Sequence, residues 1–263
     1  MALTIILSIV ILVIAITMSM VGKGGGNFYV IAMVLAGVSM GNAATSSQLI
    51  MMGTSVAAML IFHKHNKVDW KLALVIDPPT DIMALIGGYY AGSIPTHNLK
   101  LIFALSLIVI SIVMLIPVKE KVNVEKHRFG YWNRKFGDYN YTVNLWITLP
   151  ITAMVGFFAG AVGISGGAFK IPLMVMLCGI PMEIAIGTSS AMVAVTALFG
   201  FAGHFINGDF DPSIAVPLML VAIIGGVIGG RYAVKSKPKN LKKIFAITNM
   251  VAAIIMLVNL YIT

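Results

Sequence analysis

Ten apolar runs, at 3–22, 28–41, 44–63, 72–92, 98–117, 143–162, 171–182, 187–205, 213–233 and 241–262, fill most of this chain. A helix that crosses the hydrocarbon of a bilayer needs about 20 residues at roughly 1.5 Å each. Eight of the runs reach or approach that length, and the two at 28–41 and 171–182 do not. The first run has no basic leader or cleavage site, so it is read as a membrane helix rather than a signal peptide. Composition agrees: 59% of the 263 residues are apolar and 10% are charged, against about 45–50% and about 25% in soluble domains. That balance excludes an ordinary soluble enzyme, a disordered chain and a nucleic-acid binder. The single cysteine, Cys178, excludes an internal disulfide and a Cys-rich metal site.

The net charge of +9 is clustered. Of 18 basic residues, 15 lie in three stretches between apolar runs: Lys64, Lys67 and Lys71; Lys119 to Lys135; and Arg231 to Lys243. This is the distribution of cytoplasmic loops under the positive-inside rule. Trp70, Tyr89, Tyr90, Trp132, Trp146, Tyr232 and Tyr261 fall near run ends, where amphipathic rings prefer the membrane interface.

Both short runs follow a glycine-rich break, and the breaks align with each other. Gly22 to Val30 matches Gly163 to Ile171 without gaps at an offset of 141 residues. Thr45-Ser46-Ser47 answers Thr188-Ser189-Ser190, His63 answers His204, and Gly87, Gly88 and Gly92 answer Gly225, Gly226 and Gly230. The chain is therefore read as an internal repeat. The loop 63–71 carries three lysines, whereas its counterpart 206–213 carries only Asp209 and Asp211; for the next pair of loops the imbalance reverses. Equivalent loops thus face opposite sides. The expectation is an all-α polytopic membrane protein of two inverted repeats. Each repeat holds five apolar helices, one of them short and broken, and crosses an odd number of times, five or three. The first repeat spans 1–117, a basic cytoplasmic linker 118–142, and the second repeat 143–263. Both termini are expected outside the cell membrane.

Inverted repeats recur in secondary transporters, with the substrate at the repeat interface near the midplane. A glycine run just before a helix leaves bare backbone amides at the positive end of the helix dipole. Gly24, Gly25, Gly26 and Asn27 in one half, and Ser165, Gly166 and Gly167 in the other, are therefore candidate anion ligands. Close helix packing through small residues is the competing account. Thr45, Ser46, Ser47, Thr188, Ser189 and Ser190 either cap a helix or donate to a bound oxyanion. Lys170, at the start of a short helix, either neutralises a carried anion or extends to the surface. Lys23 is read as extending to the aqueous edge. Asp77 and Asp81 lie four apart beside Pro78 and Pro79; such acids exchange a coupling proton, satisfy freed amides, or pair with a base. His63, His65 and His204 carry little signal. Glu183, after Pro181, is read as marking a helix end. No cofactor motif or metal-ligand set is visible, and Gly22–Gly26 is no nucleotide-phosphate loop, because no Gly-Lys-Ser/Thr follows.

At Gly22–Gly26, Val68-Asp69-Trp70, Gly163–Pro172 and Ala185-Ile186-Gly187-Thr188-Ser189-Ser190 the chain resembles the TauE/SafE family of membrane permeases, over essentially its whole length. The first half departs from the family pattern, with no proline after the glycines at Tyr29-Val30-Ile31 and with Ala43-Ala44-Thr45-Ser46-Ser47 in place of Gly-Thr-Ser. The resemblance implies a carrier of small anions such as sulfite or organosulfonates. The expectation is a transporter, not an enzyme. It would move a small inorganic or organic anion outward across the lipid bilayer, by alternating access coupled to protons or membrane potential, without cofactor, metal or nucleic acid. A passive anion channel and a membrane-embedded enzyme are the alternatives, and homo-oligomerisation is left open.

Overall fold

The computed structural model describes residues 2–90, scattered positions between 93 and 112, and 129–162, 166–206 and 210–262. Most of the run at 98–117, the linker residues 118–128 and Ser165 lie outside the described residues.

Helix α1 (Ala2–Met20) ends at the first glycine break. There Gly22, Gly24 and Gly25 take φ of 67°, 73° and 92°, left-handed angles that only glycine adopts without strain. Helix α2 (Gly26–Leu35) follows, then α3 (Met40–Lys64). The Asp69 carboxylate accepts from the amides of Lys71 and Leu72, so it caps the short helix α4 (Trp70–Ile76). Helix α5 (Pro78–Tyr89) starts anew on a proline, and its axis is bent 51° from that of α4. A single helix over 72–92 is thus corrected to two. Pro78 and Pro79 supply no amide protons, so the carbonyls of Leu74 and Val75 lose their partners four residues on and the axis bends at Asp77, although Asp77 itself keeps helical angles (φ −88°, ψ −34°).

The linker holds an element that the apolar pattern did not foretell. Strands β1 (Tyr131–Phe136) and β2 (Tyr139–Asn144) form an antiparallel hairpin, with Tyr131 opposite Asn144 and Phe136 opposite Tyr139. Helix α6 (Leu145–Val162) follows. The short run at 171–182 is also revised: it becomes α7 (Gly167–Pro172), a π turn over Leu173–Leu177, and an irregular passage to Pro181. Helices α8 (Met182–Ile206), α9 (Pro212–Lys235) and α10 (Pro238–Ile262) complete the chain. Among the described residues, α3, α8 and α9 are long and apolar enough to cross a membrane, and α4 with α5 makes a fourth if the bent pair is one span. Large apolar side chains such as Ile5, Ile9, Val13, Leu220, Ile224, Ile254 and Val258 face outward, where a bilayer and not water is the suitable solvent.

Glycines set which helices touch and in what direction. A Cβ at Gly156 or Gly160 of α6 would lie 2.2 Å and 2.1 Å from the carbonyl oxygens of Thr80 and Ala84 on α5. Position rises with position, so α5 and α6 run parallel. By the same reasoning Gly225 and Gly229 of α9 press on Leu12 and Ile16 of α1, and Gly226 and Gly230 press on Thr54 and Ala58 of α3; α9 is parallel to both. Gly88 meets Gly203 and, one to two turns earlier in each helix, Asp81 meets Thr196, so α5 and α8 are also parallel. Helices α3 and α8 run oppositely: Lys67, just past the end of α3, pairs at 2.8 Å with Glu183 at the start of α8, while Gln48, early in α3, meets Gly200, late in α8. The fourth apolar element of each half therefore packs against the first and third elements of the other half.

A leucine at Gly160 or Gly226 would collide with backbone that cannot rotate away. Each variant is expected to destabilise by more than the ~1–3 kcal/mol of an ordinary overpacked core. Gly137→Ala in the hairpin turn, where no atom lies within 4 Å but φ is 56°, carries only the backbone cost of a left-handed alanine, about 1–2 kcal/mol, and serves as the comparison without a collision. Thermal unfolding in detergent, followed by size-exclusion chromatography, reads the difference.

Candidate functional site

The two glycine breaks meet. A Cβ at Gly167 would lie 2.9 Å from the Gly22 carbonyl oxygen and 3.0 Å from Lys23 Cα, and one at Gly22 would lie 2.5 Å from the Ile186 carbonyl oxygen. Ser189 donates to the Gly22 carbonyl at 2.9 Å, directly joining the breaks' surroundings across 167 residues of sequence. Gly24 is closed over by Met51, Ser55 and Val193, and Gly25 by Met18 and Tyr29. Gly26 begins α2, and Asn27 beside it is half-buried. Gly22, Gly24 and Gly25 of the first break and Gly167 of the second are thus packed against protein.

The hydroxyl clusters are not helix caps. Helix α3 starts at Met40 and α8 at Met182, so both clusters lie inside their helices. Thr45 donates to Gly41 O at 3.0 Å and Ser47 to Ala44 O at 2.7 Å, and Ser46 is buried beside them. In the second half Ser190 bonds back to Ile186 O, whereas Thr188 accepts from the Asp69 amide at 3.0 Å. Thr188 and Ser189 thus bind across the halves, and Thr45, Ser47 and Ser190 hold bonds to their own helices.

Lys170 does not reach the surface. It is 1% exposed and forms a buried ion pair with Asp77, which sits at the hinge between α4 and α5. Its ammonium also donates to Thr196 Oγ1 at 2.8 Å. The Thr196 hydroxyl in turn lies 2.7 Å from Asp81 Oδ1 and 3.0 Å from Met192 O, one proton serving two acceptors. Asp77, Lys170, Thr196 and Asp81 so form one buried chain across α4, α5, α7 and α8. The two acids were legible in sequence, and their pairing with a base was one of the readings. Thr196 was missed: one hydroxyl in an apolar run carries no signal alone. Its counterpart is Thr54, an offset of 142 away, which bonds Tyr29 on the first short helix at 2.9 Å.

Lys23, expected to extend to water, is 3% exposed and turned inward toward α10. His204, which carried little signal in the sequence, is buried, with Nε2 donating to Gly160 O at 2.9 Å. His63 stays at the surface and accepts from the Trp70 indole at 3.1 Å.

At the loop end of the molecule Asp69 gathers further partners that the sequence left unassigned. Arg134 of the hairpin grips both its carboxylate oxygens at 2.9 Å, and the Tyr141 hydroxyl donates to it as well. Burial pushes the Asp69 carboxyl up, but the Arg134 and Tyr141 hydrogen bonds, the Leu72 amide and the Arg134 charge outweigh it, so the group titrates below its usual range. The Arg134 guanidinium is raised mainly by its bond to Asp69, and burial and the same carboxylate raise the Tyr141 phenol.

Comparison with known proteins adds a family. The family model described as "Sulfite exporter TauE/SafE" matches residues 7–256. "Probable membrane transporter protein YunE" of Bacillus subtilis is 25% identical over 242 residues, covering 87% of this chain and 88% of that protein. "Probable membrane transporter protein YdhB" of the same organism is 22% identical over 254 residues, covering 95% and 98%. "Probable membrane transporter protein YfcA" of Escherichia coli K12 is 21% identical over 235 residues, covering 88% and 81%. No solved structure matches.

Because its folded-state pKa is lowered, Asp69 contributes stability that is present above its ordinary value of 3.8 and lost as pH falls through the depressed value. Arg134→Met leaves a buried carboxylate without its cation, a loss of about 3–5 kcal/mol by analogy with other broken buried pairs. The gap between wild type and variant is expected to hold constant from near-neutral pH down to the carboxylate range and to shrink below it. Thermal unfolding of both proteins across that interval checks the sign.

Proposed function

This chain belongs to the sulfite exporter TauE/SafE family, and we propose that it is a secondary transporter of a small anion, a sulfite or organosulfonate exporter, working by alternating access between two inverted repeats. The observation that carries this reading is the direct contact of the two glycine breaks between antiparallel α3 and α8. The reciprocal packing, in which α9 joins α1 and α3 while α5 joins α6 and α8, supports the inverted repeat. Each parallel trio is held by backbone contact, whereas the seam between the trios is the place where the glycine amides lie. Rocking one trio against the other opens that seam to one side at a time.

In this reading the anion binds at the seam, on the amides of Gly24, Gly25, Gly26 and Asn27 and of Ser165, Gly166 and Gly167. The hydroxyls of Thr45, Ser46, Ser47, Thr188, Ser189 and Ser190 lie beside it. Opening frees Ser189 from the Gly22 carbonyl and makes its proton available to an oxyanion. Lys170 is already neutralised by Asp77, so it serves an incoming anion by exchanging partners: the anion takes the ammonium and Asp77 takes a proton. Asp81, joined to that pair through Thr196, supplies the path for the proton. A charge buried alone is unfavourable by several kcal/mol, and that penalty couples the two events. The loops at 63–71 and 118–142 are placed on the cytoplasmic side and both termini outside, following the basic residues.

Proteoliposomes loaded with sulfite, a sulfonate, sulfate or acetate, with and without a pH step, test the reading. Accumulation against an opposing gradient is expected; equilibration alone identifies a channel, and product formation without a gradient identifies an enzyme. Ser189→Ala, which removes one hydrogen bond of about 1 kcal/mol, is expected to change flux about five-fold, and Gly166→Leu to abolish it in folded protein. Retained flux in both variants removes those residues from the site. Asp81→Asn is expected to slow pH-driven flux by roughly ten-fold or more, the scale of a lost charged hydrogen bond, while anion exchange stays close to wild type. Equal loss of both assigns Asp81 a structural role.

A further inference from the structure

The Lys23 ammonium sits in a cage that the anion site does not use. From the first glycine break it reaches across to α10, donating to Phe245 O at 3.1 Å, to Thr248 Oγ1 at 2.7 Å and to Asn249 Oδ1. It also stands over the Phe245 ring, 4.1 Å from the centroid. Lys23, Thr248 and Asn249 are 3%, 8% and 1% exposed. Among the described residues no carboxylate pairs with it: Asp69 and Asp77 hold Arg134 and Lys170, and Glu183 holds Lys67.

The cage presents only acceptors to the Lys23 Nζ. The Thr248 proton is committed to its own helix, with Ile244 O at 2.8 Å and Phe245 O at 3.0 Å, so only lone pairs face Lys23. The Asn249 amide turns its oxygen to the ammonium, although its buried Nδ2 then has no hydrogen-bond partner among the described residues. An amide that gives up its own donor to present an acceptor is oriented by positive charge. A backbone carbonyl, a hydroxyl and an amide oxygen converging beneath an aromatic face are the groups that replace the water shell of a small hard cation or an ammonium.

We propose that Phe245, Thr248 and Asn249 form a monovalent-cation site whose cation is covalently part of the chain. The Lys23 ammonium fills a place that Na⁺ or a small alkylammonium takes once the side chain is removed. The site ties the first glycine break to the last helix without needing an external ion, and it stands whether or not the carried anion is a sulfur oxyanion.

The test uses the purified full chain in detergent with Lys23→Ala, unfolded thermally in NaCl, LiCl or methylammonium chloride against choline chloride at equal ionic strength. Methylammonium, whose methyl group replaces the lost Cε, is expected to raise the melting temperature of the variant saturably by roughly 5 °C. Na⁺ is expected to do so less strongly, and wild type to respond to neither. The double variant Lys23→Ala with Asn249→Leu is expected to lose the response. If the single variant is recovered folded only when extracted in methylammonium or Na⁺, the proposal holds equally. Identical melting in every salt, a response that survives Asn249→Leu, or aggregation in every salt alike overturns it. Because the readout is stability, a failed transport assay leaves this result unaffected.

Discussion

The carbonyl oxygen of Thr80 lies 2.2 Å from where a side chain at Gly156 would begin, and the same is true, within a few tenths of an ångström, along the contacts of Gly160, Gly226 and Gly229. Everything else in the molecule depends on such backbone-to-backbone approach. In lipid there is no hydrophobic gain from bringing two apolar helices together, so van der Waals contact between small residues carries the association. Glycine gives the closest contact, and closest contact fixes which helices pair and in which direction. It also brings the polar groups of Ser189, Thr196 and Asp81 within hydrogen-bonding range of their partners.

Two kinds of bond then coexist in the interior. The close approaches of the helix glycines are steric and leave nothing to exchange. The contacts around Asp77, Lys170 and Thr196 are ionic or hydroxyl bonds, every member of which has an alternative partner chemistry. A buried ion pair is weak grounds for stability but a strong constraint on what charge can enter or leave. The hinge at Asp77 belongs to the same logic. Pro78 and Pro79 interrupt the span where the carboxylate must turn inward, and the halves are asymmetric here, because the corresponding helix α9 continues unbroken past Pro217.

Much of this was legible in the residues. The apolar runs gave the long helices α3, α8 and α9 to within a few residues, because a 20-residue apolar stretch has one good solution in lipid. The glycine-rich breaks at Gly22–Gly26 and before Gly167 stood out by their composition, and in the first of them the left-handed angles of Gly22, Gly24 and Gly25 demand glycine. What stayed hidden depends on distance in sequence. Thr196 and Asn249 are ordinary polar residues until Lys170 and Lys23 are folded against them, and the inward course of Lys23 is set by α10, more than 200 residues away. The hairpin escaped because its alternation is short and largely polar, and its partner Asp69 looked like a loop acid. The bend at Asp77 was written in its prolines, but the apolar stretch around them favoured a continuous helix.

Asp69 and Arg134 are separated by 65 residues, and a ribosome adding about 5–20 residues per second takes roughly 3–13 s to make that stretch. During that interval the cap of α4 exists without the guanidinium that compensates its charge, so the nascent first half must keep this carboxylate hydrated at the membrane edge. The corner is complete only after β1, β2 and α8 have been made, because Arg134, Tyr141 and Thr188 all bind Asp69.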